Sequence, residues 1–354
     1  MIGKENNMKK ILSLVLALGM IFSLAACSGG SESGGSTAAD DGQIYEFKLS
    51  IMNADQPFME DFPALVEEKT GGRIQITLYD MSSLGTAADA LAMTRNGTVE
   101  MYFNAAAQTA GEFPVADIVQ VPVLASNPST VSEIIYSLYY EGYLDEFNNE
   151  TVPLMFAPTD MQMLAVKNSK IESMGSFNGL KLRAVSGIAV DMLESFGSSA
   201  VAMPMSDVYL SLDRGIVDGA MTSPHLMQVN ALYDVLDYIM EYPVHGGLLF
   251  LAMNEDAYNS LPDSLKLSLM EACEEQRYRV INKVQQTYSD GIEACVAGGM
   301  ELYSITPEFQ QELQDAVAPL REQFVTGLNS AGHDGTAIMD LTERVIERCE
   351  YNLK

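Results

Sequence analysis

From residue 44 onward, apolar and polar positions fall into two alternating rhythms, one of period two and one of helical period. Residues 46–51 and 73–79 alternate strictly and read as strands, and residues 99–103 read as a third. Between them, residues 58–68 read as a helix stopped by Gly71 and Gly72, and residues 86–95 as a shorter helix ended by Asn96 and Gly97. The order returns further on. Residues 180–185 form a strand opened by the Asn178-Gly179 turn, and residues 189–196 a helix ended by Gly197. A helix capped by Ser206 runs to Arg214 and Gly215, and residues 216–221 are the next strand. Strands alternating with helices at this spacing predict α/β lobes with largely parallel sheets. The helix-to-strand turns repeat as well: Gly97-Thr98-Val99-Glu100 aligns with Gly215-Ile216-Val217-Asp218. Two lobes of like order imply a bilobed α/β fold with a central cleft. Beyond residue 250 the chain is mostly helical. From Pro262 to about residue 296 Gly291 is the one interruption, which predicts a helix of about 50 Å lying across both lobes.

The N-terminus has a different character. Lys4, Lys9 and Lys10 precede an apolar run over residues 11–22, too short for a comfortable span of about 20 residues. Leu24-Ala25-Ala26-Cys27 follows and resembles a bacterial lipobox, in which small residues admit the peptidase and the cysteine thiol takes a diacylglycerol. The expectation is a signal over residues 1–26, lipid attachment at Cys27, and a membrane-anchored, extracytoplasmic protein. Residues 28–43 are Gly, Ser, Ala and acid, a flexible coil too polar to fold alone. This divides the chain into signal 1–26, tether 27–43, a first lobe of 44–160 plus about 250–288, and a second of 161–249 plus about 289–354.

Composition narrows the partners. The formal charge is −28, which argues against nucleic acid and against a basic patch on anionic lipid, and makes any buried cation conspicuous. Cys273 and Cys295 fall on the predicted long helix about 33 Å apart, too far to bridge, so at most one pairs with Cys349. No cysteine and histidine spacing resembles a zinc site, and His225, His245 and His333 are scattered. No metal or cofactor is expected. Neither a Gly-x-Ser-x-Gly elbow, a His-Glu-x-x-His pair nor a phosphate loop is present, so an enzyme is not expected.

Spaced blocks then carry a family resemblance. Gly179-Leu180-Lys181-Leu182-Arg183, Pro204-Met205-Ser206-Asp207-Val208-Tyr209 and Gly215-Ile216-Val217-Asp218-Gly219 resemble the central signature of TRAP-transporter solute-binding proteins, the DctP-like family. Residues 74–79, Leu84-Gly85 and Asn96-Gly97 upstream, and Met253-Asn254 and Leu261-Pro262 downstream, extend it over nearly all of residues 44–330. The resemblance implies a periplasmic-binding-protein fold, a monomer whose lobes close on an organic carboxylate. It also implies delivery to membrane permease subunits driven by an ion gradient, with Arg183 at the family's carboxylate-binding position.

The residues themselves bear on that reading. In the strand around it, Leu180, Leu182 and Ala184 share one face and Lys181, Arg183 and Val185 the other. A guanidinium there needs an anion: a bound carboxylate held bidentately, or a structural pair with Asp207 or Asp218, unless the position is an exposed edge. The chain also departs from its relatives. Met163 stands where some sialic-acid binders carry a second arginine, Met205 where an aromatic often lines the pocket, and Thr222-Ser223 where an asparagine is common. In the first lobe Asn53, Asn104 and Gln108 offer amides. The pocket thus expected has one fixed cation, few strong polar groups, and methionines at 161, 163, 203, 205 and 221. It suits a monocarboxylate with an apolar or aromatic body better than a small dicarboxylate. The alternatives are an exported hydrolase, or a ligand-binding partner of a membrane sensor.

Overall fold

The computed structural model describes residues 42–52, 58–109, 111–185 and 187–352. The signal, Cys27, most of the tether and Asn53 lie outside the described residues.

Two sheets organise the chain. The first has the order β2-β1-β3-β10-β4, from Ile74–Asp80, Tyr45–Ile51, Met101–Ala105, Leu248–Asn254 and Thr151–Pro158. The second has the order β11-β9-β5-β8-β6-β7, from Glu301–Tyr303, Tyr238–Met240, Met163–Val166, Gly219–Thr222, Lys181–Ala184 and Ser199–Ala202. β1 shows why the chain chooses this form: Tyr45, Phe47 and Leu49 are buried while Glu46 and Lys48 are exposed. β10 is buried at all seven positions because both its faces are covered. Leu249, Leu251 and Met253 enter one core, and Leu248, Phe250 and Ala252 the other.

The helices are α1 (Phe62–Lys69), α2 (Ala87–Arg95), α3 (Pro128–Tyr140), α4 (Ile188–Ser195), α5 (Val208–Asp213), α6 (Pro224–Val229), α7 (Glu255–Asn259), α8 (Asp263–Ala297), α9 (Pro307–Ser330) and α10 (Gly335–Asn352). A capping box between Thr86 and Asp89 starts α2, as the Thr-x-x-Asp spacing allows. Ser206 does not cap α5. Residues 205–207 make a 3-10 turn, Asp207 takes the cap position without a side-chain bond, and the hydroxyl of Ser206 faces Asp207 instead.

The short repeat is structural. Glu100 accepts the Lys48 backbone N–H of β1 at 2.8 Å, and Asp218 accepts the Lys181 backbone N–H of β6 at 2.8 Å. Each turn passes through a left-handed glycine, Gly97 or Gly215, before a buried valine, Val99 or Val217. The same four residues therefore join helix to sheet in both lobes.

Two short crossovers link the lobes and bond to each other: Thr159 N–H to Gly247 O at 3.0 Å, Gln162 N–H to His245 O at 2.9 Å, and Val244 N–H to Gln162 O at 2.9 Å. α8 spans both lobes over 35 residues, about 50 Å. Leu265, Leu269 and Val284 pack in the first lobe and Cys295 in the second. α9 passes back: Phe309, Leu313 and Val317 pack on the second lobe, Leu328 on the first. α10 then lies against α3, with Ile338, Met339 and Val345 in a first-lobe core. The chain's end thus joins the first lobe, where the sequence division assigned it to the second. An amphipathic helix gives its period away but not its partner. Cys273, Cys295 and Cys349 sit in three different cores and are free thiols.

Candidate functional site

Arg183 occupies the third position of β6 and is 3% exposed. Its neighbours Leu182 and Ala184 enter the core under α4 and α9. Its cross-strand partners, Ala220 on β8 and Val201 on β7, face the opposite core under α5, α6 and the end of α8. The guanidinium therefore lies on that second face. Nε donates to Met203 O at 3.1 Å and Nη1 to Met221 O at 3.1 Å. Two of its five N–H groups are thereby used and three remain to offer.

Neither acid weighed from the sequence pairs with it. The Asp218 carboxylate caps Lys181, and Asp207 accepts from Ser206. Among the described residues Arg183 has no carboxylate within ion-pair distance. Burial without an anion pulls its pKa down to about 10, so it remains charged at neutral pH.

The other expected residues divide. Met163 is fully buried on β5, opposite Thr222 of β8, and its Sδ accepts the Tyr288 hydroxyl at 3.1 Å. Met203 and Met205 are half-buried against the same core. The Thr222 hydroxyl is buried and unpartnered among the described residues, two positions along β8 from Ala220 and so on the guanidinium's face. Ser223 is instead committed to capping α6, accepting Leu226 N–H at 3.3 Å. Met161 and Met221 turn away into cores on other faces. Met221 serves the site through its carbonyl alone.

The first-lobe amides are less available. Asn104 is 1% exposed and spends its groups locally, its Nδ2 on Tyr102 Oη and Met81 Sδ and its Oδ1 on Ala105 N–H. Gln108 is exposed at the end of a 3-10 turn.

Two groups near the site escaped sequence reading. Tyr288, on α8, packs against both the first-lobe core under α3 and the second-lobe core that holds Met163. Burial chiefly, with Glu241 and Asp160 nearby, pushes its pKa up to about 12, so the hydroxyl stays a donor. Asp160, on the first crossover, accepts Thr287 Oγ1 at 3.4 Å. Burial raises its pKa to about 6, opposed by bonds from Thr287 and Ser223. The signal for Tyr288 was an aromatic in a polar stretch of a long helix, three residues before its glycine; Asp160 had none.

The chain thus forms two sheets joined by paired crossovers and spanning helices, with a buried guanidinium that has no carboxylate partner among the described residues. The family model for bacterial extracellular solute-binding proteins, family 7 (DctP), matches residues 54–327, and the chain belongs to that family. It is similar to the ectoine-binding periplasmic protein TeaA of Halomonas elongata, 22% identical over 323 residues, 87% of this chain and 91% of that one. Among solved structures it resembles a TRAP periplasmic solute-binding protein from Desulfovibrio salexigens in an open complex. That pair shares 23% identity with a TM-score of 0.77 over 86% of this chain and 96% of the other. A TRAP solute-binding protein from Rhodoferax ferrireducens, in complex with copurified benzoate, is 22% identical with a TM-score of 0.75 over 88% and 100%. The family comprises solute-binding receptors of transporters, and its named members act outside the cytoplasm.

Proposed function

We propose that this chain captures an organic acid through a bidentate pair between its carboxylate and Arg183, and hands it to a TRAP permease. The observation that carries the proposal is the guanidinium itself, 3% exposed and held by two backbone carbonyls, with no acid within ion-pair distance among the described residues. A charge so placed is costly until an anion arrives, and the carbonyls fix its plane before one does. Thr222 supplies one further polar group, and Met163, Met203 and Met205 an adaptable apolar wall. This favours a monocarboxylate with an apolar or aromatic body. The benzoate found with the Rhodoferax relative is of that kind.

Calorimetry with benzoate, ectoine, glucuronate, malate and succinate tests the reading. The best ligand should bind with a negative heat-capacity change, since apolar surface is buried. Arg183→Lys keeps the charge and loses the fork, and should weaken that ligand roughly 10- to 100-fold, about 1.4–2.8 kcal/mol. Unchanged affinity would refute the carboxylate pair. Malate or succinate binding best would refute the apolar pocket while leaving the arginine in place.

A further inference from the structure

Residues 121–125 begin and end in the first lobe, with Val121, Leu124 and Ala125 in its core under α3. Val123 alone leaves that company. Its side chain, 7% exposed, sits in the second-lobe core among residues of β6, α4 and α9. To get there its backbone takes φ +53°, a left-handed conformation that a β-branched residue strongly resists. Strain of this kind persists only where the surroundings over-determine it.

Here both backbone groups are tied. Val123 N–H donates to Val244 O at 2.9 Å, on the second crossover, whose own N–H holds Gln162 of the first. Val123 O accepts from Arg321 Nη2 at 2.9 Å. Arg321 follows Pro319 in α9, between the stretch packed on the second lobe and the stretch packed on the first. Its Nε is buried without a partner among the described residues, so a half-buried cation is spent on one carbonyl.

We propose that residues 121–125 are a non-covalent clasp between the lobes, fastened by Arg321 and Val244, that sets how far apart the ligand-free lobes stand. Among the described residues the lobes are also joined by continuous chain, in two crossovers and two helices, and by Ile188 of α4, which packs against the first-lobe core. Unlike the crossovers and helices this tie can release, and unlike the apolar contact of Ile188 it is fixed by hydrogen bonds at both backbone groups of one residue. It grips the second sheet on the face opposite the guanidinium, since Val123 shares a core with Leu182 and Ala184. It therefore acts on the site only through the lobe angle.

The test uses the full ligand-free chain, so its failure is separate from any failure of the carboxylate reading. Arg321→Met keeps the stem's packing and removes the tie. Val123→Gly tolerates the left-handed backbone and withdraws the plug. In both, small-angle scattering should give a larger radius of gyration than the parent's. Amide exchange over residues 159–162 and 241–247 should quicken about tenfold, with β8 and β10 unchanged. A parental radius in either variant overturns the clasp. So does exchange that quickens equally in every segment, which marks a loss of stability alone.

Discussion

Two ionisable side chains, the half-buried Asp160 and the buried His245, make this protein's stability respond to acid in opposing senses. Burial raises the Asp160 pKa to about 6, from an ordinary 3.8. The folded state then holds that proton more tightly than the unfolded, so its contribution is full below about pH 4 and is lost as pH rises through 6. His245 runs the other way. Buried at 7% exposure with both ring nitrogens unpartnered among the described residues, it is pushed down from 6.5 to about 4. Its contribution is full above pH 6.5 and is lost as pH falls through 4. Denaturant melts from pH 4 to 7 should show Asp160→Asn gaining on the parent as pH rises. His245→Leu should gain on it as pH falls. Parallel curves would mean these groups titrate alike folded and unfolded. Arg183, which stays charged throughout this range, was legible in the sequence because a charge inside an apolar strand has few ways to be satisfied. Asp160 and His245 were not, because what buries each is drawn from crossovers some 80 residues apart, Gln162 against His245.

At the scale of elements, α8 was read almost to the residue, since only Gly291 broke its run. The glycine has a packing cause. A Cβ there would come within 2.4 Å of the Pro224 carbonyl carbon and 2.5 Å of the His225 nitrogen, both backbone of α6. Gly291→Ala adds about 1 kcal/mol of helix propensity but wedges the two helices apart, at about 1–3 kcal/mol or more. The variant should melt below the parent. An equal or higher melting temperature would show that α6 yields freely. Boundaries fared less well than existence. The first helix begins at Phe62 where residue 58 was expected, and the strand after Gly215 at Gly219 where residue 216 was expected. Apolar residues such as Val99 and Val217 extend the hydrophobic pattern, yet their backbones belong to the turns. The berth of α10 on α3 was out of reach, because the stripe that buries it is equally suited to either lobe.

For the molecule as a whole, the acidic surface and the N-terminal pattern point the same way. A chain of charge −28 gains nothing from an anionic membrane, so the attachment expected at Cys27 would rest on its covalent lipid. Cys27→Ser should move the protein from the membrane to the soluble fraction, and a salt-resistant membrane pool of the variant would count against the anchor. The two-lobed plan was visible as a repeat of four residues, slight in sequence and telling once Glu100 and Asp218 are seen capping equivalent strands.

The placing of β10 has a consequence for how the protein is made. That strand lies between β3 and β4 at the heart of the first sheet, yet it leaves the ribosome only after the second sheet's β5 to β9. Until residues 248–254 arrive, β4 has no neighbour in its sheet and two cores lack their shared wall. A nascent chain ending before them cannot close its first lobe. Proteolysis of chains stalled at about residues 200, 247 and 300 should find the first two digestible throughout, and compact fragments only in the third. Such late closure keeps the polypeptide threadable for most of its synthesis, which is the state that passage through a narrow export channel demands.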